Sequence, residues 1–287
     1  MATEFSVGLV PVERYGVREQ TPSGGPVECA IESLRTFGYA IYDAGFSPSE
    51  IEFLRERFDA VREIVYEQGG GRDRLARIDE QHTLRAMLAH DASFLELARH
   101  PDILAIARRL VGDYIVLNQQ NGVINPGNGR EYNQGKWHRD LPYQHFVSSR
   151  PLAINALFCV DEFTHYNGAT LVAPASHKME AFPSDEFLRQ TALQAVAPAG
   201  HFIILDAMTF HSGAVNRSPR DRRAVNHVYT IPMIRQQIDL PAVLGADYRK
   251  DDSAARSLLG YGLEVPRSVE EYYLSREQRE QGSRATM

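Results

Sequence analysis

From Asp113 onward the sequence changes period. Short apolar or β-branched runs at 114–117, 153–160, 170–173, 193–196, 202–205 and 224–231 follow one another, separated by Gly, Pro and Asn. Strand after strand, interrupted only by a short helical pattern at 185–191, does not build the alternating sheet of a doubly wound fold. It predicts a largely antiparallel sandwich or barrel.

The residues before Asp113 read mainly as helix. The first 25, with Pro11, Pro22, Gly24 and Gly25, lack sustained periodicity and form an arm. Ile31, Leu34 and Phe37 have helical spacing before Gly38, and 39–42 is a short strand. Ser47 and Ser49 offer N-caps to a helix that aligns Ile51, Leu54, Phe58, Val61 and Ile64, closed by a Gly69-Gly70-Gly71 loop. Helical patterning resumes over 83–111, with Pro101 starting its second half, and 268–279 reads as a surface helix. The expected organisation is a single domain over 1–287: an arm (1–25), a mainly helical front (26–112), a β core (113–232) and a C-terminal extension (233–287).

Composition narrows the function. A formal net charge of -6 argues against nucleic acid as a partner, and two cysteines, Cys29 and Cys159, make neither a disulfide framework nor a metal knuckle. The N-terminus has no basic stretch leading into an apolar one, and no run approaches the roughly 18 apolar residues of a membrane span. The expectation is a cytoplasmic chain with no membrane partner.

The chemistry concentrates in two places. In Trp137-His138-Arg139-Asp140 an imidazole and a carboxylate stand two apart, so on a strand they share a face and can grip one ion. The other His-x-Asp, His100-Pro101-Asp102, lies where a helix begins and reads as structural. Downstream, His211 follows an apolar strand, Asn216 comes five residues later, and Arg222 opens the next strand. A remote histidine beside His138 and Asp140 makes a two-histidine, one-carboxylate face, which leaves adjacent positions on an octahedral ion open. Ferrous iron is its usual occupant. A chelating 2-oxo acid would then need a cation for its far carboxylate, and the planar fork of an arginine suits that task. Zinc with an open water position for hydrolysis, or a non-catalytic barrel binding a small ligand, remains an alternative for the same residues.

These pieces, in this order, resemble the phytanoyl-CoA dioxygenase family of iron- and 2-oxoglutarate-dependent oxygenases. The resemblance continues through Asn167-Gly168 and Pro174-Ala175-Ser176-His177, where Ala175 replaces the usual glycine, and through Gly200, His211, Asn216 and Arg222. It covers 113–232 strongly and the front half in outline. It implies a mainly β fold with helical decoration: a double-stranded β-helix, that is a jelly-roll, cupin-like barrel flanked by N-terminal helices. His138, Asp140 and His211 would be the catalytic metal ligands for Fe(II), and Arg222 would hold the C5 carboxylate of 2-oxoglutarate. Gln119 and Asn155 resemble positions that contact this co-substrate. Ser212-Gly213 departs from the family's Gly-Ser, which removes a hydroxyl at that point.

The implied reaction consumes O2 and 2-oxoglutarate, hydroxylates an aliphatic C–H of a small metabolite or natural-product intermediate, and releases succinate and carbon dioxide. Desaturation, epimerisation and ring closure branch from the same chemistry. Halogenation is disfavoured because Asp140 occupies the place that related halogenases leave small. Scarce lysines make a CoA thioester less attractive, while Tyr143, Gln144, His145 and the stretch 118–121 allow a small polar substrate. His177 is expected to fix a turn, His201 and His227 to be ordinary sheet histidines, and Trp137 to pack. The Asn216-Arg217-Ser218 sequon has no expected use.

Overall fold

The computed structural model describes residues 13–21, 24–141 and 147–285. Its front half runs α1 (Pro26–Phe37), β1 (Tyr39–Asp43), α2 (Pro48–Gln68), α3 (Arg72–Arg77), β2 (Thr83–Arg85), α4 (Ser93–Ala98) and α5 (Pro101–Val111). There follow β3 (Val116–Asn125), β4 (Ala153–Cys159), β5 (Thr170–Val172), α6 (Asp185–Thr191), β6 (Leu193–Ala195), β7 (His201–Asp206), β8 (His211–Gly213) and β9 (Arg222–Thr230). The chain continues through α7 (Leu240–Leu244), α8 (Ser253–Leu259) and α9 (Val269–Ala285). Among the described residues no helix is long and apolar enough to cross a membrane.

Local signals explain where the front helices start and stop. Ser47 caps α2 by accepting from the Glu50 amide, while the Glu50 carboxylate accepts from the Ser47 amide at 2.8 Å, a reciprocal capping box. α1 begins at Pro26 and ends at Gly38, whose φ of 79° only glycine adopts without strain. Pro101 starts α5, and Asp102 of the same turn accepts a hydrogen bond from the Tyr42 hydroxyl at 2.7 Å, so this His-x-Asp is structural.

The strands form two antiparallel sheets, ordered β1-β7-β4-β9-β3-β2 and β6-β5-β8. Along β4 the residues alternate between two cores. Ile154, Ala156 and Phe158 pack with the front helices through Leu34, Phe58, Phe94 and Ile106. Leu157 and Cys159 face the small sheet with Val172, Ala195, Ile203 and Leu205. The expected barrel is therefore two facing sheets, not a closed ring. The small sheet's strands are three residues long, and the metal-motif segment joins it by one bridge, His138 to His211.

The C-terminal helix runs to Ala285, beyond the expected 279; α3, α7 and α8 were not expected, and two further differences bear on the site. Residues 83–85, expected to be helical, are the edge strand β2: Leu84 inserts toward the helices while Thr83 and Arg85 register with Val123 and Asn121. The strand expected at 114–117 runs instead from Val116 to Asn125. Its outer face is closed by Leu117, Gln120 and Ile124, with Gln120 accepting from the Leu88 amide at 2.9 Å and donating to the Phe94 carbonyl at 2.6 Å. Its inner face is polar, which hides the strand from a hydrophobicity pattern.

His227 of β9 is fully buried on the helix side, its Nδ1 paired with the Ala156 carbonyl at 3.0 Å and its Nε2 unpartnered. Burial pushes its pKa from 6.5 down to about 4. The folded protein keeps this ring neutral while the unfolded chain protonates it, so its stabilisation is full above pH 6.5 and is lost as pH falls toward 4. The loss amounts to about 3 kcal/mol. His227→Leu is expected to flatten this part of the acid limb in denaturant titrations at stepped pH. An unchanged slope would show that the ring does not stay neutral.

Candidate active site

Between the sheets, at the end where β8 meets the bridge segment, His138, Asp140 and His211 converge. Their ligand atoms all lie within 4.8 Å of one another, and His211 Nε2 stands 3.8 Å from Asp140 Oδ1. The backbone places them: His138 and His211 exchange amide-to-carbonyl bonds of 3.0 Å in each direction, and the Asp140 amide donates to the Ala207 carbonyl at 3.0 Å. Each imidazole is oriented by its Nδ1, paired with the Lys136 carbonyl at 2.7 Å for His138 and the Thr209 carbonyl at 2.9 Å for His211. That fixes the tautomer and leaves both Nε2 lone pairs for a metal. Burial, and then the neighbouring His211, push the His138 pKa down to about 4, so this ligand is neutral at pH 7.

Asn155 of β4 donates from Nδ2 to Asp140 Oδ2 at 3.1 Å, while its buried Oδ1 has no partner. The amide thus aims the carboxylate, leaving Oδ1 of Asp140 toward the histidines. Arg139, between the two motif ligands, points the other way. It grips the Met208 carbonyl at 2.8 Å and the carbonyls of Ser176, Met179 and Glu180, with Phe210 against its guanidinium. One residue face of the motif offers ligands and the other ties down the surrounding loops.

Arg222 lines the same small cavity, which has a volume of about 40 Å³. Its guanidinium is buried against the Phe163 ring, 3.5 Å from the centroid, and interacts with the Tyr132 hydroxyl. Nε and Nη1 have no hydrogen-bond partner among the described residues, and burial lowers its pKa. A buried cation whose donors meet neither carboxylate nor carbonyl is costly unless an anion completes it. The donor set and this orphaned guanidinium together fit a metal with a chelating acid whose far end carries a carboxylate.

Tyr132 is a residue that the sequence reading missed. A Cβ on Gly213 would lie 1.7 Å from the Tyr132 oxygen, so the phenol occupies the space that glycine vacates. A phenol hydroxyl thus stands beside Gly213, where the family pattern has serine, and next to Arg222. Phe163 was missed as well, since an aromatic residue a few positions from a motif carries no sequence signal for contact with Arg222.

Gln119 projects from β3 onto the inner face, its carboxamide 3.0 Å from that of Asn121. Of the polar stretch 118–121 only Gln119 and Asn121 face inward, since Asn118 donates to the Arg235 carbonyl and Gln120 serves the helix side. Asn216 is fully buried and donates to the carbonyls of Asn125 and Arg220, so it shapes the turn that delivers Arg222 and is closed to glycosylation. Trp137 packs near Phe182, and His201 lies 3.9 Å from Asp43. Tyr143, Gln144 and His145 fall outside the described residues.

The turn beside His177 explains a family departure. Ala175 has φ 61° and ψ 5°, the left-handed conformation that costs a non-glycine residue about 1 kcal/mol. Ala175→Gly is expected to be neutral or up to about 1 kcal/mol stabilising by denaturant unfolding, because relief of strain offsets the entropy glycine adds to the unfolded chain. A loss above 1 kcal/mol would show that the methyl is needed for packing.

The comparisons with known proteins agree with this geometry. The family model described as phytanoyl-CoA dioxygenase matches residues 34–224. An uncharacterized protein of Mycobacterium tuberculosis is 31% identical over 247 residues, covering 84% of this chain and 89% of that protein. The dioxygenase olcK of Penicillium canescens is 32% identical over 164 residues, 52% of each chain. Among solved structures, EctD from S. alaskensis, crystallised with 2-oxoglutarate and 5-hydroxyectoine, superposes with a TM-score of 0.58 at 20% identity, over 72% of this chain and 77% of that one. This last likeness speaks for the fold.

Proposed function

The chain belongs to the phytanoyl-CoA dioxygenase family, and on that premise we propose that it is an Fe(II)- and 2-oxoglutarate-dependent oxygenase that hydroxylates an aliphatic C–H of a small molecule. The observation that carries the reading is the buried guanidinium of Arg222, whose Nε and Nη1 have no hydrogen-bond partner among the described residues, in the same cavity as the His138, Asp140 and His211 set. Ferrous iron held by these three residues would supply the redox chemistry that couples O2 to the decarboxylation of 2-oxoglutarate, with succinate and carbon dioxide released.

The chain's own residues do the rest. Carbonyls of Lys136 and Thr209 hold the two imidazoles in the ligating tautomer. Asn155 would position Asp140 through Nδ2, while its Oδ1, which has no partner among the described residues, stays open to the co-substrate contact expected for it. Arg222 would pair with the C5 carboxylate of 2-oxoglutarate, and the Tyr132 hydroxyl would share that carboxylate. Gln119 faces the same interior farther along β3 and belongs to the substrate side in this reading. The Asp140 carboxylate supports hydroxylation over halogenation. We place the protein in the cytoplasm as one functional unit, acting on a small molecule without nucleic-acid or membrane partners. The formal charge of -6 argues against a nucleic-acid partner.

The test is slow substrate-free conversion of 2-oxoglutarate to succinate in air with iron(II). The wild type is expected to release succinate and Asp140→Ala none. Equal release by the two proteins would remove Asp140 from the ligand set.

A further inference from the structure

The inner face of the large sheet carries a second polar cluster at its β2 edge. The cross-strand row Arg85, Asn121, Asn226 puts three side chains on one face, and Asn226 lines the metal-site cavity. With strands about 4.8 Å apart, the row spans about 10 Å. Arg85 is clasped by Glu80 through Nε to Oε2 at 2.8 Å and Nη2 to Oε1 at 2.6 Å, and its Nη1 donates to Gln237 Oε1 at 2.9 Å. The Asn121 carboxamide lies 3.0 Å from Gln119 Oε1 and 3.2 Å from Gln237 Oε1.

Beside this cluster opens a pocket of about 550 Å³, which contains Glu80, Arg85 and Gln237 and has apolar walls from Val65, Leu75, Ile78 and Ile238. Its volume falls within the ~300–1,000 Å³ of small-molecule sites. The polar end has no net charge: Glu80 takes the fork of Arg85 that a carboxylate ligand would need, and burial keeps the lining His90 below its ordinary pKa. The Asn121 amide is best satisfied with its nitrogen on the Gln120 carbonyl at 3.0 Å and its oxygen toward Gln119, Gln237 and Arg85, so the exposed Gln237 amide is the hydrogen-bonding group that the pocket offers a ligand.

Resting on the reading of the metal site as that of an iron oxygenase, we propose that this pocket binds the substrate, and that the substrate is an uncharged molecule with an apolar body. Its carbonyl or hydroxyl oxygen pairs with the Gln237 amide at the polar end of the pocket, and its reactive carbon extends along the row toward Asn226 and the His138, Asp140 and His211 set. A free carboxylate would meet Glu80 and lose.

The probes are naphthylacetamide and naphthylacetate, equal in shape and different in charge, titrated calorimetrically into the iron- and 2-oxoglutarate-loaded protein without oxygen. The amide is expected to bind the wild type about tenfold more tightly than the acid. Glu80→Gln, by freeing Arg85, should strengthen the acid about tenfold, and Gln237→Leu should weaken the amide about fivefold. The proposal is overturned if the acid binds the wild type as well as the amide, if neither variant moves its probe, or if neither probe binds at millimolar concentration. Succinate release by the same wild-type preparation separates the two levels. If release is intact while the probes fail, only the pocket assignment falls. If release is absent, the oxygenase reading falls, and this proposal with it.

Discussion

Replacing Arg222 with methionine is expected to weaken 2-oxoglutarate binding by about two orders of magnitude and to make the ligand-free protein more stable. The first effect follows from the loss of a bidentate, buried guanidinium–carboxylate pair, whose truncation costs about 2–5 kcal/mol. The second follows from the empty state. Nε and Nη1 of Arg222 are buried without acceptors among the described residues, so the folded protein bears a desolvation penalty that an apolar side chain of similar length removes. The gain should be about 1 kcal/mol or more, reduced by the lost stacking on Phe163. Thermal melts would show it as a higher midpoint for the variant alone, while 2-oxoglutarate with iron(II) raises only the wild-type midpoint. A variant both less stable and undiminished in 2-oxoglutarate affinity would mark Arg222 as a structural residue.

Asp140→Ala should abolish succinate release, a fall of at least about a thousandfold, because two imidazoles alone hold iron poorly and without the right charge. Asn155→Ala should act on the same step by a smaller amount. It leaves the ligand in place and removes only the hydrogen bond that aims it, a loss of about 10–100-fold in iron affinity. The discriminating readout is the iron dependence of turnover against the 2-oxoglutarate dependence. If Asn155 positions Asp140, the iron requirement rises and the 2-oxoglutarate requirement at saturating iron stays put. The reverse pattern would make the co-substrate contact through Oδ1 its main role.

Much of this architecture is legible in the sequence, and the illegible parts share a cause. His138 and Asp140 are readable because alternate residues of an extended segment face one way, and the structure brings them to His211 and Arg222 as the spacing implies. The strands at 153–160 and 224–231 are readable because both faces carry buried apolar residues around a few polar ones such as Asn155, Asn226 and His227. β3 is readable only at its start. Its inner face of Gln119, Asn121 and Asn125 is polar where it lines the interior, so the alternation that marks a strand is masked by side chains suited to a ligand. β2 has three residues, too few for any periodicity to rise above the helical pattern around it. Tyr132 and Phe163 reach Arg222 through tertiary packing alone. The one trace of Tyr132 in the sequence is indirect: a glycine at 213 where relatives carry serine leaves a space that some other side chain must fill. The left-handed turn at Ala175 is the converse case, where the family's glycine names the backbone conformation and this chain holds it at a cost.

The central claim is that the His138, Asp140 and His211 set and Arg222 form one site that takes iron and 2-oxoglutarate together. Its most direct test is optical: iron(II) is added to the protein without oxygen, then 2-oxoglutarate, and the visible spectrum is followed for the weak charge-transfer band of a 2-oxo acid chelated to ferrous iron. The account predicts the band in the wild type, and its loss in Arg222→Met at limiting 2-oxoglutarate. A folded, iron-loaded wild-type protein that shows no band at saturating 2-oxoglutarate would contradict it.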